Sequence, residues 1–317
     1  MVFIRSLLGS VTVATLVVAL PSEVTERAGD LAKRGPIQQH CSSIQGAGFF
    51  TGLEIQKLLQ SFPLHGTARQ SVRTSLALGY LLSVLRKTLC KFADNYMVMH
   101  HGIYSKYILN LGIEETANAK SGRVKVAILD TGLDLSHHEM QARSERIRVG
   151  RTWLGNPDGE VLEMKSSPSN DPHGHGTHIT GFLLDIAPDC DVYVAQIADS
   201  TELRPNSATI IAKAVKHAVE VWKVDIISMS FGFTDEREPG CEELREALGA
   251  AYAAKVLLFA AASNSGAHRD IPSFPARMNG VFCIFASNGM GGSSIINPSP
   301  SEAGPNFTTL GEAVCSA

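Results

Sequence analysis

The sequence predicts an α/β protein: a doubly wound parallel sheet preceded by a mostly helical N-terminal region. Three observations predict it. Beyond about Ser121, short and nearly continuous apolar runs recur at Val124–Leu129, Val192–Ile197, Ile226–Met229, Val256–Ala262 and Val281–Ala286. Amphipathic stripes at helical spacing lie between them, which is the pattern of strands buried on both faces by crossover helices. Before Ser121 the apolar spacing is helical, without that alternation.

Taken in order, residues 1–20 read either as a signal peptide or as a buried first helix. Arg5 precedes an apolar stretch from Leu7 to Leu20, and Val17-Val18-Ala19 forms a cleavage-type site before Pro21. The stretch is too short for a comfortable membrane span of about 20 residues, so no stable span is expected and the location, secreted or intracellular, stays open. Residues 21–118 form the helical region. There Val72, Leu78, Leu81, Leu82, Leu85 and Leu89 share one face, accompanied by Arg69, Arg73, Arg86, Lys87 and Lys91 as a solvated basic face. Residues 119–317 carry the alternating pattern. Its helices include the stripe Ile211, Ala214, Val215, Ala218, Val219, Trp222 and the stripe Leu244, Ala247, Leu248, Ala251, Tyr252.

Composition narrows the function. The chain has 317 residues, 28 Lys plus Arg against 31 Asp plus Glu, and a formal charge of −3. A nucleic-acid binder is normally far more basic, so no nucleic-acid partner is expected. The six cysteines, Cys41, Cys90, Cys190, Cys241, Cys283 and Cys315, are scattered without a C-x-x-C pair or zinc spacing. They read as free thiols, mostly buried. No local acidic cluster marks a calcium site, no cofactor motif is present, and the oligomeric state is not readable. Asn306-Phe307-Thr308 satisfies a glycosylation sequon, which matters only in a secreted protein.

Chemistry in open α/β sheets gathers at the carboxyl ends of strands. Asp130-Thr131-Gly132 follows the run Val126–Leu129, placing a carboxylate there beside a turn-forming glycine. Asp171-Pro172-His173-Gly174-His175-Gly176-Thr177-His178 then leads into an apolar helix. Glycines leave the His175 ring approachable, and a helix start favours the neutral imidazole of a general base. The alternative is a metal cluster of His173, His175 and His178. That spacing is similar to the metallo-β-lactamase pattern, but Thr177 stands where an aspartate is needed, and no further ligand run follows. Asn264, in Ala260–Gly266, ends a strand where its amide can face a developing oxyanion. Ser230-Phe231-Gly232 ends another strand and leaves a backbone edge to which an extended peptide can add.

The order D-T-G, H-G-T-H, S-x-G, A-x-N-x-G, followed by Phe274-Pro275-Ala276, closely resembles the subtilisin-like serine proteases (subtilases, peptidase S8) over roughly residues 119–317. The resemblance implies a doubly wound α/β domain that hydrolyses peptide bonds of a peptide or protein substrate. Asp130 would orient His175, His175 would be general base and acid, Asn264 the side-chain oxyanion donor, and Ser230, Phe231 and Gly232 the substrate segment, with no metal. The helical region also resembles those preceding some fungal intracellular subtilase domains. One departure matters. Subtilases carry their nucleophile in a G-T-S-x-A motif after the Asn motif, and Ser265, Ser273, Ser287, Ser293, Ser294, Ser299, Ser301 and Ser316 have no such context. Gly304–Gly311 resembles the strand and loop that come before the motif. The expectation is therefore a subtilase domain truncated before the nucleophile and without substantial activity as written; a non-catalytic peptide-binding module is the alternative, and a metal hydrolase a lesser one.

Overall fold

The computed structural model describes residues 90–108, 123–154, 162–163, 170–200, 203–264, 266, 271–300 and 306–314. The expectations for residues 1–20, and for the basic face between Arg69 and Leu89, lie outside the described residues. The strands are β1 (Lys125–Asp130), β2 (Ile147–Thr152), β3 (Leu162–Glu163), β4 (Asp191–Gln196), β5 (Ile226–Met229), β6 (Leu257–Ala261), β7 (Val281–Ser287) and β8 (Asn306–Leu310). They form one sheet in the order β3-β2-β4-β1-β5-β6-β7-β8. All neighbours run parallel except β3, which pairs antiparallel with β2 at the edge. The α/β doubly wound class read from the sequence is the architecture found.

The chain leaves β1, adds β2 and then β4 on one side, then crosses β1 to reach β5 and proceeds outward on the other. The strand order therefore reverses beside β1. Such a reversal splays the connecting loops apart and opens a crevice at the strands' carboxyl ends. Asp130 is the last residue of β1.

Alternation along the strands supplies both layers. Ala127 and Leu129 of β1 join one apolar cluster with Ile227 and Met229 of β5 and Leu258 and Ala260 of β6. Against them lie helix α4 (Ser207–His217), through Ile211, Ala214 and Val215, and helix α5 (Cys241–Ala253), through Leu244, Leu248 and Ala251. Val126 and Ile128, equally buried, point to the opposite face. Helix α3 (His175–Ile186) packs against β1 with Ile179, Phe182, Leu183 and Ile186 buried outside that cluster. The stripe predicted through Trp222 is α-helical only to His217 and widens into a π turn at Ala218–Trp222. Trp222 still reaches the core, where its ring meets Trp153 edge-on at 5.7 Å.

Two further helical pieces belong to the described chain. Residues 90–103 form helix α1, continued by a π turn at Tyr104–Ile108, and belong to the same compact unit as the sheet. The His101 ring bonds to the carbonyl of Asp185 at 3.1 Å, and the Tyr104 hydroxyl donates to Asp189 at 2.9 Å. Helix α2 (His138–Ala142) follows β1, and Arg143 at its end pairs with Asp185 of α3 at 2.6 Å. Cys190, Cys241 and Cys283 are free and buried, the last inside the apolar strand β7, while Cys90 is half-buried. No described helix is long and apolar enough to cross a membrane.

Candidate active site

Asp130 and His175 come from segments 45 residues apart and meet at the reversal point. The Nδ1 atom of His175 lies 2.6 Å from Oδ1 of Asp130, and both side chains are almost wholly buried. The same Oδ1 accepts the backbone N–H of Thr131 at 2.7 Å. A carboxylate on Nδ1 fixes the ring plane and places the proton there, leaving Nε2 as the basic nitrogen. Nε2 is buried and makes no hydrogen bond. Burial of the ring works against protonation, but the Asp130 charge, its hydrogen bond and the more distant Asp171 charge outweigh it. The His175 pKa therefore stands above the ordinary 6.5.

The two segments are held by very close backbone approach. Gly176 follows His175, and a Cβ there would sit 2.1 Å from the carbonyl oxygen of Gly132. Gly132, with φ 127°, is itself pressed on Asn170: its own Cβ would lie 1.9 Å from that carbonyl. Gly174 is left-handed at φ 79° and starts α3 directly before His175. The first-turn N–H groups of α3, which lack helical partners, are met from outside the helix. Gly176 donates to the Thr131 hydroxyl at 3.0 Å and Thr177 to Asp171 Oδ2 at 2.7 Å. Gln196, at the end of β4, donates through Nε2 to the carbonyls of Thr131 and Asn170 at 3.0 and 2.9 Å.

Asn264 lies just past β6, on the same carboxyl edge and two strands from β1. Its Oδ1 is buried without a hydrogen bond. The preceding Ser263 has φ 139°, a conformation costly for a residue with a Cβ. Ser230, Phe231 and Gly232 follow β5, between β1 and β6. The Phe231 ring is 3% exposed and packs edge-on against Phe233, so its side chain belongs to the core. Beyond it, Phe233 and Phe274 exchange both backbone hydrogen bonds, at 2.6 and 2.9 Å. Gly232 rests on Ser273, whose Cβ would be 2.6 Å from a Cβ at 232. Glu236 ties this loop to the Phe274 loop and to α5 by accepting hydrogen bonds from Arg277 and Arg245.

The rings of His173 and His175 are 6.2 Å apart, and the Nδ1 atom of His175 is committed to Asp130. Among the described residues no group of three His, Cys, Asp or Glu side chains gathers as a metal-binding set. Thr131, Asp171 and Gln196, which tie the segments around the pair together, were not among the candidates read from the sequence. The signal was there in part, because a Thr beside Asp130 and an Asp four residues before His175 can both hydrogen-bond backbone amides. For Gln196 no local signal exists, since its role follows from β4 lying next to β1.

The chain is thus a doubly wound α/β protein with a buried carboxylate–imidazole pair at the reversal point of its parallel sheet. The model of the subtilase family (peptidase S8) matches residues 121–312, and the chain belongs to that family. It is 32% identical to an intracellular serine protease of Paenibacillus polymyxa over 184 residues, covering 54% of this chain and 52% of that protein. It is 29% identical to the subtilisin-like protease het-Q2 of Podospora anserina over 224 residues, covering 60% of this chain and 59% of that protein. Among solved structures it is similar to sphericase, at 21% identity and a TM-score of 0.49, covering 63% of this chain and 72% of that one. The chain spans about half the length of the curated relatives it matches.

Proposed function

We propose that the chain carries the general-base and oxyanion parts of a serine endopeptidase site acting on extended peptides. The observation that carries this reading is the 2.6 Å contact between Asp130 and the Nδ1 atom of His175, with Nε2 buried and unpartnered. A buried ring nitrogen without a partner is costly unless a donor meets it, and a serine hydroxyl is such a donor. In the proposed reaction Nε2 takes the proton of the attacking hydroxyl and later delivers it to the leaving amine. Asp130 keeps the ring in one tautomer and stabilises the imidazolium between those steps. Asn264 offers its amide N–H to the oxyanion, and the strain at Ser263 supports a side chain held in place for that purpose. Ser230 and Gly232 offer backbone to the substrate strand, while Phe231 anchors that segment from below.

The attacking serine belongs, in this reading, to a G-T-S-x-A segment, which residues 1–317 do not contain. Members of such a set act as a unit, so loss of the nucleophile alone removes most of the acceleration. The 317-residue chain by itself is therefore proposed to bind extended peptides without appreciable turnover. The test is a fluorogenic peptide library assayed against the chain and its His175→Ala variant. Equal background rates are expected for both. Turnover that a serine-directed phosphonate blocks contradicts the inactive state, and absence of any peptide binding near Ser230–Gly232 contradicts the substrate assignment.

A further inference from the structure

The geometry points to Asp171 as a positioning residue that holds the Asp130–His175 pair in register by acting through the Thr131 hydroxyl; this rests on the general-base reading of His175 given above. Asp171 is buried and hydrogen-bonds neither member of the pair. Its Oδ1 accepts the Thr131 hydroxyl at 2.7 Å and the Gly174 N–H at 2.9 Å. Its Oδ2 accepts the Thr177 N–H at 2.7 Å and the Thr177 hydroxyl at 2.6 Å. An ionised carboxylate has about four acceptor positions. All are filled from the two loops that flank the pair, so Asp171 has nothing left for a substrate or a proton relay.

Thr131 carries the constraint onward. Its hydroxyl has one proton, given to Asp171, which leaves its lone pairs for the Gly176 N–H at 3.0 Å. Its own N–H goes to the Asp130 oxygen that also faces the imidazole. A ring of contacts thus closes from Asp130 through Thr131 and Gly176 to His175 and back to Asp130. Each bond has a fixed direction because Asp171 only accepts. An Asn at 171 breaks this whichever way its amide turns. Its NH2 group faces either the Gly174 N–H or the Thr177 N–H, and a backbone N–H cannot reverse its role.

The competing reading is a structural cap that merely stabilises the start of α3. The two differ in what happens to the imidazole. The described ionisable groups around it are Asp130 at the end of β1, and Asp171 and His173 in the loop before α3. Asp171→Asn removes both a charge and the bracket, whereas Thr131→Val removes the hydroxyl without changing charge, and Thr131→Ser restores it. The experiment is nuclear magnetic resonance of the full chain with labelled histidine, following the low-field Nδ1 proton and the titration of His175, with thermal melting alongside.

Thr131→Ser is expected to match the parent. Thr131→Val is expected to lower the proton affinity of His175 by about tenfold and to broaden the low-field resonance. Asp171→Asn is expected to do the same or more. A Thr131→Val protein with the parent's titration and resonance overturns the proposal, whatever its melting temperature. Loss in Asp171→Asn alone also overturns it, because charge then suffices. If Asp171→Asn does not fold, the Thr131 pair decides. If the parent's imidazole is indifferent to Asp130→Asn, it is the general-base reading that fails.

Discussion

Gly176→Ala is the perturbation that the backbone packing around His175 makes most specific. The new methyl would lie 2.1 Å from the Gly132 carbonyl oxygen and 2.9 Å from the Gly132 nitrogen. An ordinary carbon–oxygen contact is about 3.3 Å, so the two loops must part by about 1.2 Å. Gly132 has no room to retreat, being pressed on Asn170 and Gln196. Moving Gly176 instead breaks its bond to the Thr131 hydroxyl. Overpacking of this kind costs about 2 kcal/mol and the lost hydrogen bond about 1 kcal/mol. Replacing a helical glycine by alanine returns about 1 kcal/mol, so the net loss is about 2 kcal/mol. The control is Gly249→Ala in α5, where a Cβ meets nothing within 4 Å, and a gain of about 0.5–1 kcal/mol is expected. Urea unfolding of the three proteins reads both effects. Opposite signs are expected; a Gly176→Ala protein as stable as Gly249→Ala refutes the close-approach argument.

Other perturbations probe the surroundings. Burial works against the ionised Glu236 carboxyl, but hydrogen bonds from Arg277 and Arg245 hold its pKa below the ordinary 4.5. Its contribution is therefore present above that value and lost as pH falls through the folded pKa. Against Glu236→Gln the parent should gain no more than about 1 kcal/mol at pH 7, given partial exposure, and urea unfolding as a function of pH should show the gain vanish in acid. Phe231→Ala should cost about 3–5 kcal/mol in the same assay, as for a core ring; a loss under about 1 kcal/mol contradicts its burial. Burial pushes the Cys190 and Cys283 thiols up to about 12 and Cys241 to about 11. Labelling of the native chain with a thiol-directed disulfide reagent at pH 8 should leave these three unmodified until denaturant is added.

Much of this fold was legible because its central strands are buried on both faces. Such strands announce themselves as unbroken apolar runs, and Ile226–Met229 is found with the bounds read from sequence. Strands nearer the edge lack such runs and were not legible. β2, Ile147–Thr152, second from the edge, interleaves Arg148, Gly150 and Arg151 with its apolar residues and takes its identity from pairing with β4. At the site, Asp130 and His175 could be found singly because each stands at the end of an element beside a glycine-bearing turn. Their partners could not, because Thr131, Asp171 and Gln196 act through contacts between segments 26 to 65 residues apart. For Phe231 the motif placed the backbone of a substrate segment but said nothing of the ring, which continues the inward alternation of Ile227 and Met229 into the core.

The coupling of His175 to Asp130 is the claim on which the functional reading depends, and titrating the His175 imidazole in the parent and in Asp130→Asn tests it most directly. In the parent the midpoint should lie above the ordinary 6.5. The pair then contributes stability that is fully present below the unfolded-state value and is lost as pH rises through the folded one. In Asp130→Asn burial is left with little to oppose it, so the midpoint should fall below 6.5 and the pH dependence should change sign. A parent midpoint at or below the ordinary value, unmoved by Asp130→Asn, contradicts the claim.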